Sequence, residues 1–226
     1  MKEYRCHASS EIGFVQQLAC NYLPHGYWFY VTGQIPPEKD PQQVDEKLID
    51  KYDIAVSRAT RWRRKKAGTA NLHYLRHERF FALLATHGKH RFFSDEAKRI
   101  RDARKISIQF SGYSIGCKQG DYLRKSPGKK SVADHRYRSR VQVSRPVYLD
   151  WLAYFEHAAQ RFPAERLSAE IYHFPYEPYA PVRKQVLNIV RVVNRTRKQR
   201  GRRPLEARQV VRYRRRIVRV FDELAD

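Results

Sequence analysis

Apolar residues recur at spacings of three and four from the start of the chain. Ile12, Val15, Ala19 and Leu23 form one stripe, widened by Leu18 and Tyr22 and capped by Ser9 or Ser10, which predicts a helix over residues 9–23 that Pro24 and Gly26 end. The aromatic and β-branched run at residues 27–32 then predicts a strand, and residues 33–37 a turn. A long helix over residues 40–66 follows. Asp40 is its cap and Pro41 suits its first turn, while Val44, Leu48, Tyr52, Ala55, Ala59 and Trp62 mark one face.

Two strands are expected next, at about residues 70–77 and 79–86. The second is almost wholly apolar and therefore central in a sheet. Ser94 is positioned to cap a short polar helix through Arg104. Residues 105–111 alternate, with Ile106, Ile108 and Phe110 facing one way, and residues 113–118 can form their hairpin partner. Residues 119–134 are polar and carry the tract KSPGKK, so they read as a mobile loop able to close over a bound strand. In the last expected strand, residues 136–143, Tyr137, Ser139, Val141 and Val143 share one face and Arg136, Arg138 and Arg140 the other.

The rest reads as helical. One helix runs from Pro146 to about Phe162, and residues 171–181 form an aromatic and proline-rich connector. A helix over residues 182–199 follows, then a last one opened by Pro204 with Val210, Ile217, Phe221 and Leu224 on its apolar face. The fold class expected is α+β: a mostly antiparallel sheet of four to six strands backed by helices in residues 1–145, then a basic helical region in residues 146–226.

Charge adds the functional direction. Lys and Arg total 46 against 23 acidic residues, a formal charge of +23 over 226 residues. A compact state so charged repels itself unless a polyanion neutralises it, which points to nucleic acid, DNA or RNA, ahead of an anionic membrane surface. No run approaches the roughly 18 apolar residues of a spanning helix, and the first residues lack a signal-peptide core. Three cysteines, Cys6, Cys20 and Cys117, stand at wide spacing with no CxxC pair, which argues against a disulfide framework or a cysteine-rich zinc site and suits packing roles in a reducing cytoplasm.

The charge is also concentrated. Residues 183–219 hold fifteen Lys or Arg against the single acid Glu206, net +14 in 37 residues. Arg195, Arg197, Lys198, Arg202, Arg203, Arg212, Arg214, Arg215 and Arg216 are candidate phosphate contacts there, since the arginine fork suits phosphate and guanine. A second group closes the 40–66 helix, where Arg61, Arg63, Arg64, Lys65 and Lys66 exceed what a helix dipole needs. Arg136, Arg138 and Arg140 make a third, because like charges in register on a strand repel unless an anion lies across them. The aromatics of residues 27–30 suit base stacking, or simply the core.

His73, His77, Glu78, His87 and His90 are the candidate catalytic or metal-binding residues. Imidazole with carboxylate suits Zn or Mn, and Mg is a further candidate; a neutral His can also act as a general base. On a strand His73 and His77 stand about 13 Å apart, whereas a turn through Gly88 can bring His87 and His90 together.

A strand, a helix and an apolar strand running into paired histidines, followed by a helix bearing tyrosine, resembles the HUH-type single-strand nucleases of rolling-circle initiators and REP-associated tyrosine transposases. The likeness covers about residues 27–155, in order of elements. It implies a divalent metal on His87 and His90 and a nucleophile in Tyr148 or Tyr154. In that family one apolar residue separates the histidines; here Gly88 and Lys89 do.

The sequence reading is thus a nucleic-acid-binding protein of a mobile-element, replication or RNA-handling system. A metal-dependent strand nickase or transposase is the alternative, and a ribosome-associated or RNA-scaffold protein the second.

Overall fold

The computed structural model describes residues 4–120, 123–124 and 132–221. The fold is α+β, with antiparallel strands. The chain divides into two compact units: Met1–Ile108 with Ile115–Arg140 and Val218–Asp226, and Gln109–Ser114 with Val141–Ile217.

In the first unit, β1 (Phe29–Gln34), β2 (Leu72–His77), β3 (Phe80–Ala85) and β4 (Arg101–Asp102) form a four-stranded sheet in the order β2-β3-β1-β4. β3 lies between β2 and β1, antiparallel to both, with Leu84 opposite His73 and Tyr30. Ala82, Leu83, Leu84 and Ala85 are all buried, so both faces of this strand are covered, as its unbroken apolar run predicts. On one face Val31, Leu72, Tyr74, Leu83 and Ala85 cluster with Tyr52, Ile54 and Phe92. The other face carries Phe80, whose ring meets Phe14 of α1 (Glu11–Gln16) edge-on at 5.7 Å.

Several helices are shorter than their apolar periodicity predicts. Ser10 caps α1, but the expected helix over 9–23 changes to a π-helical turn at Gln17–Tyr22 and a 3-10 turn at Leu23–His25. The expected helix over 40–66 is two, α2 (Pro41–Lys51) and α3 (Arg58–Lys66). Asp53 sits at φ 46, and Ser57 accepts a bond from Thr60 N as a new cap, an alternative that short polar side chains offer the backbone. Ala55, Ala59 and Trp62, placed on the predicted apolar face, are consequently exposed. The helix expected from Ser94 to Arg104 is only one turn, α4 (Phe92–Asp95), before β4. Asp102 takes the Arg104 N–H and guanidinium, which holds that segment in a turn.

β5 (Ile108–Phe110), β6 (Tyr113–Gln119) and β9 (Tyr137–Val143) form a three-stranded sheet in the order β5-β6-β9, and β7 (Leu123–Arg124) pairs with β8 (Val132–Ala133). The expected loop over 119–134, including the KSPGKK tract, otherwise lies largely outside the described residues.

The second unit is built on α5 (Arg145–Arg161), α6 (Ala164–His173) and α7 (Ala180–Gln199). Phe155, Leu167, Ile171, Val186, Ile189, Val190 and Val193 form its core with Leu205 and Val210. Gln185 of α7 accepts from Val143 N at 2.9 Å and donates to Val143 O at 3.0 Å, matching both backbone groups of the strand end. α6 was not expected from the sequence. The last helix is also reduced, to α8 (Ala207–Val210), and residues 211–221 are in neither helix nor strand. A helix there would set Arg212 against Arg215 and Arg216 at repelling spacings, beside four β-branched residues. Instead Val218 and Val220 bond with Gln16 and Ser9 in the first unit's own body.

Candidate nucleic-acid interface

α7 turns one apolar side to the core and leaves the opposite side to cations. Lys184, Arg191, Arg195 and Lys198 are exposed. Their spacings of seven, four and three keep them on one side over about 21 Å of helix. No carboxylate or other acceptor among the described residues engages any of the four. Arg203, Arg208 and Arg214 of the same unit are likewise exposed and unengaged among the described residues. Like charges at i, i+4 destabilise a helix slightly, so this stripe does nothing for the fold.

Other candidate arginines face inward, onto backbone oxygens. Arg197 is 3% exposed and donates Nε to Arg203 O at 2.6 Å and Nη1 to Phe162 O at 2.8 Å; burial holds its pKa below the ordinary value. Arg212 donates to Phe174 O at 2.7 Å and to Tyr176 O. Arg61 reaches Leu72 O and Ile54 O at 2.8 and 2.7 Å, and Arg64 reaches Asp53 O at 2.9 Å. These guanidinium groups join segments of their own unit.

In the first unit the outward cations of α3 are Arg58, Arg63, Lys65 and Lys66, the last lying over the Trp62 ring at 4.1 Å. Arg136, which precedes β9, and Arg140 on it are exposed, while Arg138 pairs with Asp134, which holds that carboxyl down at about 2. The arginine row therefore has a counter-charge within the chain. Arg202 and Arg216 are exposed, Arg202 grazing Phe162 O at 3.4 Å, and Arg215 lies over the Tyr179 ring at 4.5 Å.

The histidines do not converge. His77 and Glu78 lie at one end of β3 and His87 and His90 beyond the other, roughly 20 Å apart by strand rise. Glu78 is an exposed hairpin residue at φ 49. His73 is stacked at 4.4 Å on Tyr22, with Tyr27 at 4.7 Å, and its Nδ1 is 3.0 Å from Tyr4 Oη. Burial, reinforced by the Arg61 charge, pushes its pKa down to about 3. His77 Nδ1–H donates to Ala8 O at 2.8 Å.

The His87–His90 loop is built firmly. Lys89 bonds through its N–H to Gly68 O and through its carbonyl to Ala70 N, and Gly88, at φ 141, lies so close to Thr69 and Ala70 that a Cβ would be 2.5 Å from Ala70 N. His87 is exposed, whereas His90 Nδ1 accepts from Phe92 N at 3.1 Å and its pKa is lowered, first by burial and then by Arg64. No group of three or more His, Cys, Asp or Glu able to hold a metal occurs among the described residues. The candidate nucleophiles belong to the other unit: Tyr148 Oη accepts from Asn188 at 2.6 Å, and Tyr154 Oη donates to Glu170.

Of the aromatics at residues 27–30, Tyr27 and Tyr30 are buried. Trp28 is partly exposed beside Arg104 at 4.4 Å and Tyr137 at 5.4 Å. The cysteines divide too: Cys20 is exposed, contrary to a packing role, while burial pushes the Cys6 and Cys117 thiols up to about 12. Lys184, Arg191 and Arg208 were not singled out by sequence, although the spacing of 184, 191, 195 and 198 opposite the apolar stripe was there to be read. No helix among the described residues is long and apolar enough to cross a membrane. Comparison of the sequence with protein-family models and with curated proteins gives no match.

Proposed function

We propose that this chain binds nucleic acid through its phosphate backbone, chiefly along α7. The observation that carries the reading is the row Lys184, Arg191, Arg195 and Lys198, four exposed cations on one side of a helix with no anionic partner among the described residues. Holding such a row together costs the fold a little and gains it nothing, whereas phosphates laid along it release counterions and turn the repulsion into affinity. Arg58, Arg63, Lys65 and Lys66 on α3 supply a second cationic patch in the other unit. A mobile-element, replication or RNA-handling role in the cytoplasm is the setting this chemistry suits. An RNA-scaffold role differs in its company: it requires copurification with RNA and loss of the bound material on ribonuclease treatment.

The test is the salt dependence of binding, read by fluorescence anisotropy on duplex and single-stranded oligonucleotides. Lys184→Gln, Arg191→Gln, Arg195→Gln and Lys198→Gln together should flatten the slope of log affinity against log salt, by ~0.9 per lost contact on duplex DNA and ~0.7 on a single strand. An unchanged slope overturns the assignment to α7.

A further inference from the structure

A cavity of about 320 Å³ opens in the second unit beside the C-terminal end of α6, with Tyr172, Glu177, Arg212, Arg214 and Arg216 in its wall. Its charge follows from the conformation of the chain after α8. The chain there is in neither helix nor strand, and Arg212, Arg214 and Arg216 all reach the cavity wall. Arg212 is fixed by the carbonyls of Phe174 and Tyr176 and lies over the Tyr176 ring at 4.4 Å. Arg214 and Arg216 are exposed.

Glu177 is the unexpected member. It is 7% exposed, yet its carboxylate makes one long hydrogen bond, from Arg216 N at 3.4 Å, and no ion pair among the described residues. A carboxylate offers about four lone-pair sites, and one long bond leaves most of them turned to the cavity. Glu177 thus presents spare acceptor capacity beside arginines that want an anion. A ligand completing both must carry paired N–H donors and a phosphate. Among the bases only guanine sets two adjacent donors, N1–H and the N2 amino group, along one edge, a fork that fits the two oxygens of a carboxylate as arginine's does.

We propose that this cavity holds an unpaired guanine nucleotide. Glu177 receives N1–H and N2–H, Arg214 and Arg216 take the phosphate, and the exposed Tyr172 ring covers a face of the base. Guanine's N1–H and N2–H are spent on cytosine within a duplex, so the site selects unpaired guanine. The volume, at the small end for ligand pockets, admits one nucleotide unit. The inference rests on the nucleic-acid reading and adds base and strand preference to it.

Calorimetric titration of the full chain with GMP, dGMP, AMP, CMP, UMP and inorganic phosphate tests the site directly. GMP and dGMP should bind about tenfold or more tighter than the other nucleotides. Glu177→Gln should abolish that preference while leaving phosphate-driven binding, and Arg214→Gln with Arg216→Gln should weaken every nucleotide. Oligonucleotides with one central guanine, single-stranded and duplexed, separate a strand ligand from a free nucleotide: guanine should strengthen binding only when unpaired, and mononucleotide binding without this effect would mean a free-nucleotide site. Equal binding of all the nucleotides, or inorganic phosphate binding as tightly as GMP, would overturn the proposal without any variant. Survival of the preference in Glu177→Gln would overturn the role of Glu177. If guanine-free oligonucleotides bind normally and neither mononucleotides nor oligonucleotides show a guanine preference, this inference alone fails; if no oligonucleotide binds, the phosphate reading fails with it.

Discussion

Arg76 Nε lies 2.8 Å from both carboxylate oxygens of Asp45, and both residues are buried, which ties the second strand of the sheet to α2. Tyr74 Oη donates to the same carboxylate at 2.7 Å, and Cys6 Sγ approaches it at 3.5 Å. A buried pair of this kind specifies how a helix sits more than it adds net stability. Removing one partner leaves a charge uncompensated and should cost roughly 3–5 kcal/mol. Asp45→Asn should therefore lower the free energy of unfolding in urea by about that much, and Asp45→Leu with Arg76→Met by clearly less. A loss under ~1 kcal/mol in Asp45→Asn would show that the pair is not an isolated buried charge.

Acid should weaken the fold through His73. Its pKa is pushed down to about 3 from an ordinary 6.5, so between those values the unfolded chain takes a proton that the folded chain refuses. The contribution is complete above pH 6.5 and falls as pH drops toward 3, by about 1.4 kcal/mol per unit. His73→Phe keeps a ring in the Tyr22 and Tyr27 stack without a titrating group. Its stability relative to wild type should rise steadily below pH 6.5, with His90→Phe as the control for the other depressed imidazole. A difference that does not vary with pH would contradict this account.

What the sequence discloses here is apolar burial; what it conceals is where polar groups find acceptors. The Phe80–Ala85 run, the Asp40 and Pro41 helix start and the core face of α7 are visible because period and caps are local. The break between α2 and α3 is less so, since Tyr52, Ala55 and Ala59 keep a helical spacing that Asp53 and Ser57 overrule. The roles of the arginines are the least legible. Arg195 and Arg197 look alike in the chain, yet one faces solvent and the other finds the carbonyls of Phe162 and Arg203, which only the tertiary fold brings to it.

The strand-cleavage alternative makes its own prediction. A metal-assisted attack by tyrosine needs ligands that close on one ion and a hydroxyl free to attack phosphate. His87 and His90 have no third His, Cys, Asp or Glu completing such a group among the described residues, and the hydroxyls of Tyr148 and Tyr154 are engaged by Asn188 and Glu170. Labelled single-stranded oligonucleotides incubated with the protein and Mg or Mn should stay intact on a denaturing gel. A covalent adduct lost in Tyr148→Phe or Tyr154→Phe would instead establish strand cleavage.

The inward and outward arginines of α7 should separate cleanly when each is replaced. Arg197→Gln strands two backbone carbonyls in the interior and removes a packed stem, so it should cost about 2–4 kcal/mol of stability, in line with other losses of buried hydrogen-bond networks. Arg191→Gln and Arg195→Gln remove a repelling i, i+4 pair and should leave stability unchanged or raise it by about 0.2–0.5 kcal/mol. Binding should respond in the opposite sense: the exposed pair weakens affinity for any phosphate polymer, while Arg197→Gln, measured well below its unfolding midpoint, leaves the salt slope intact. Urea denaturation and anisotropy on the same preparations give both readouts. If Arg191→Gln and Arg195→Gln destabilise the chain as much as Arg197→Gln does, the α7 stripe is part of the fold and the phosphate contacts must be sought on α3.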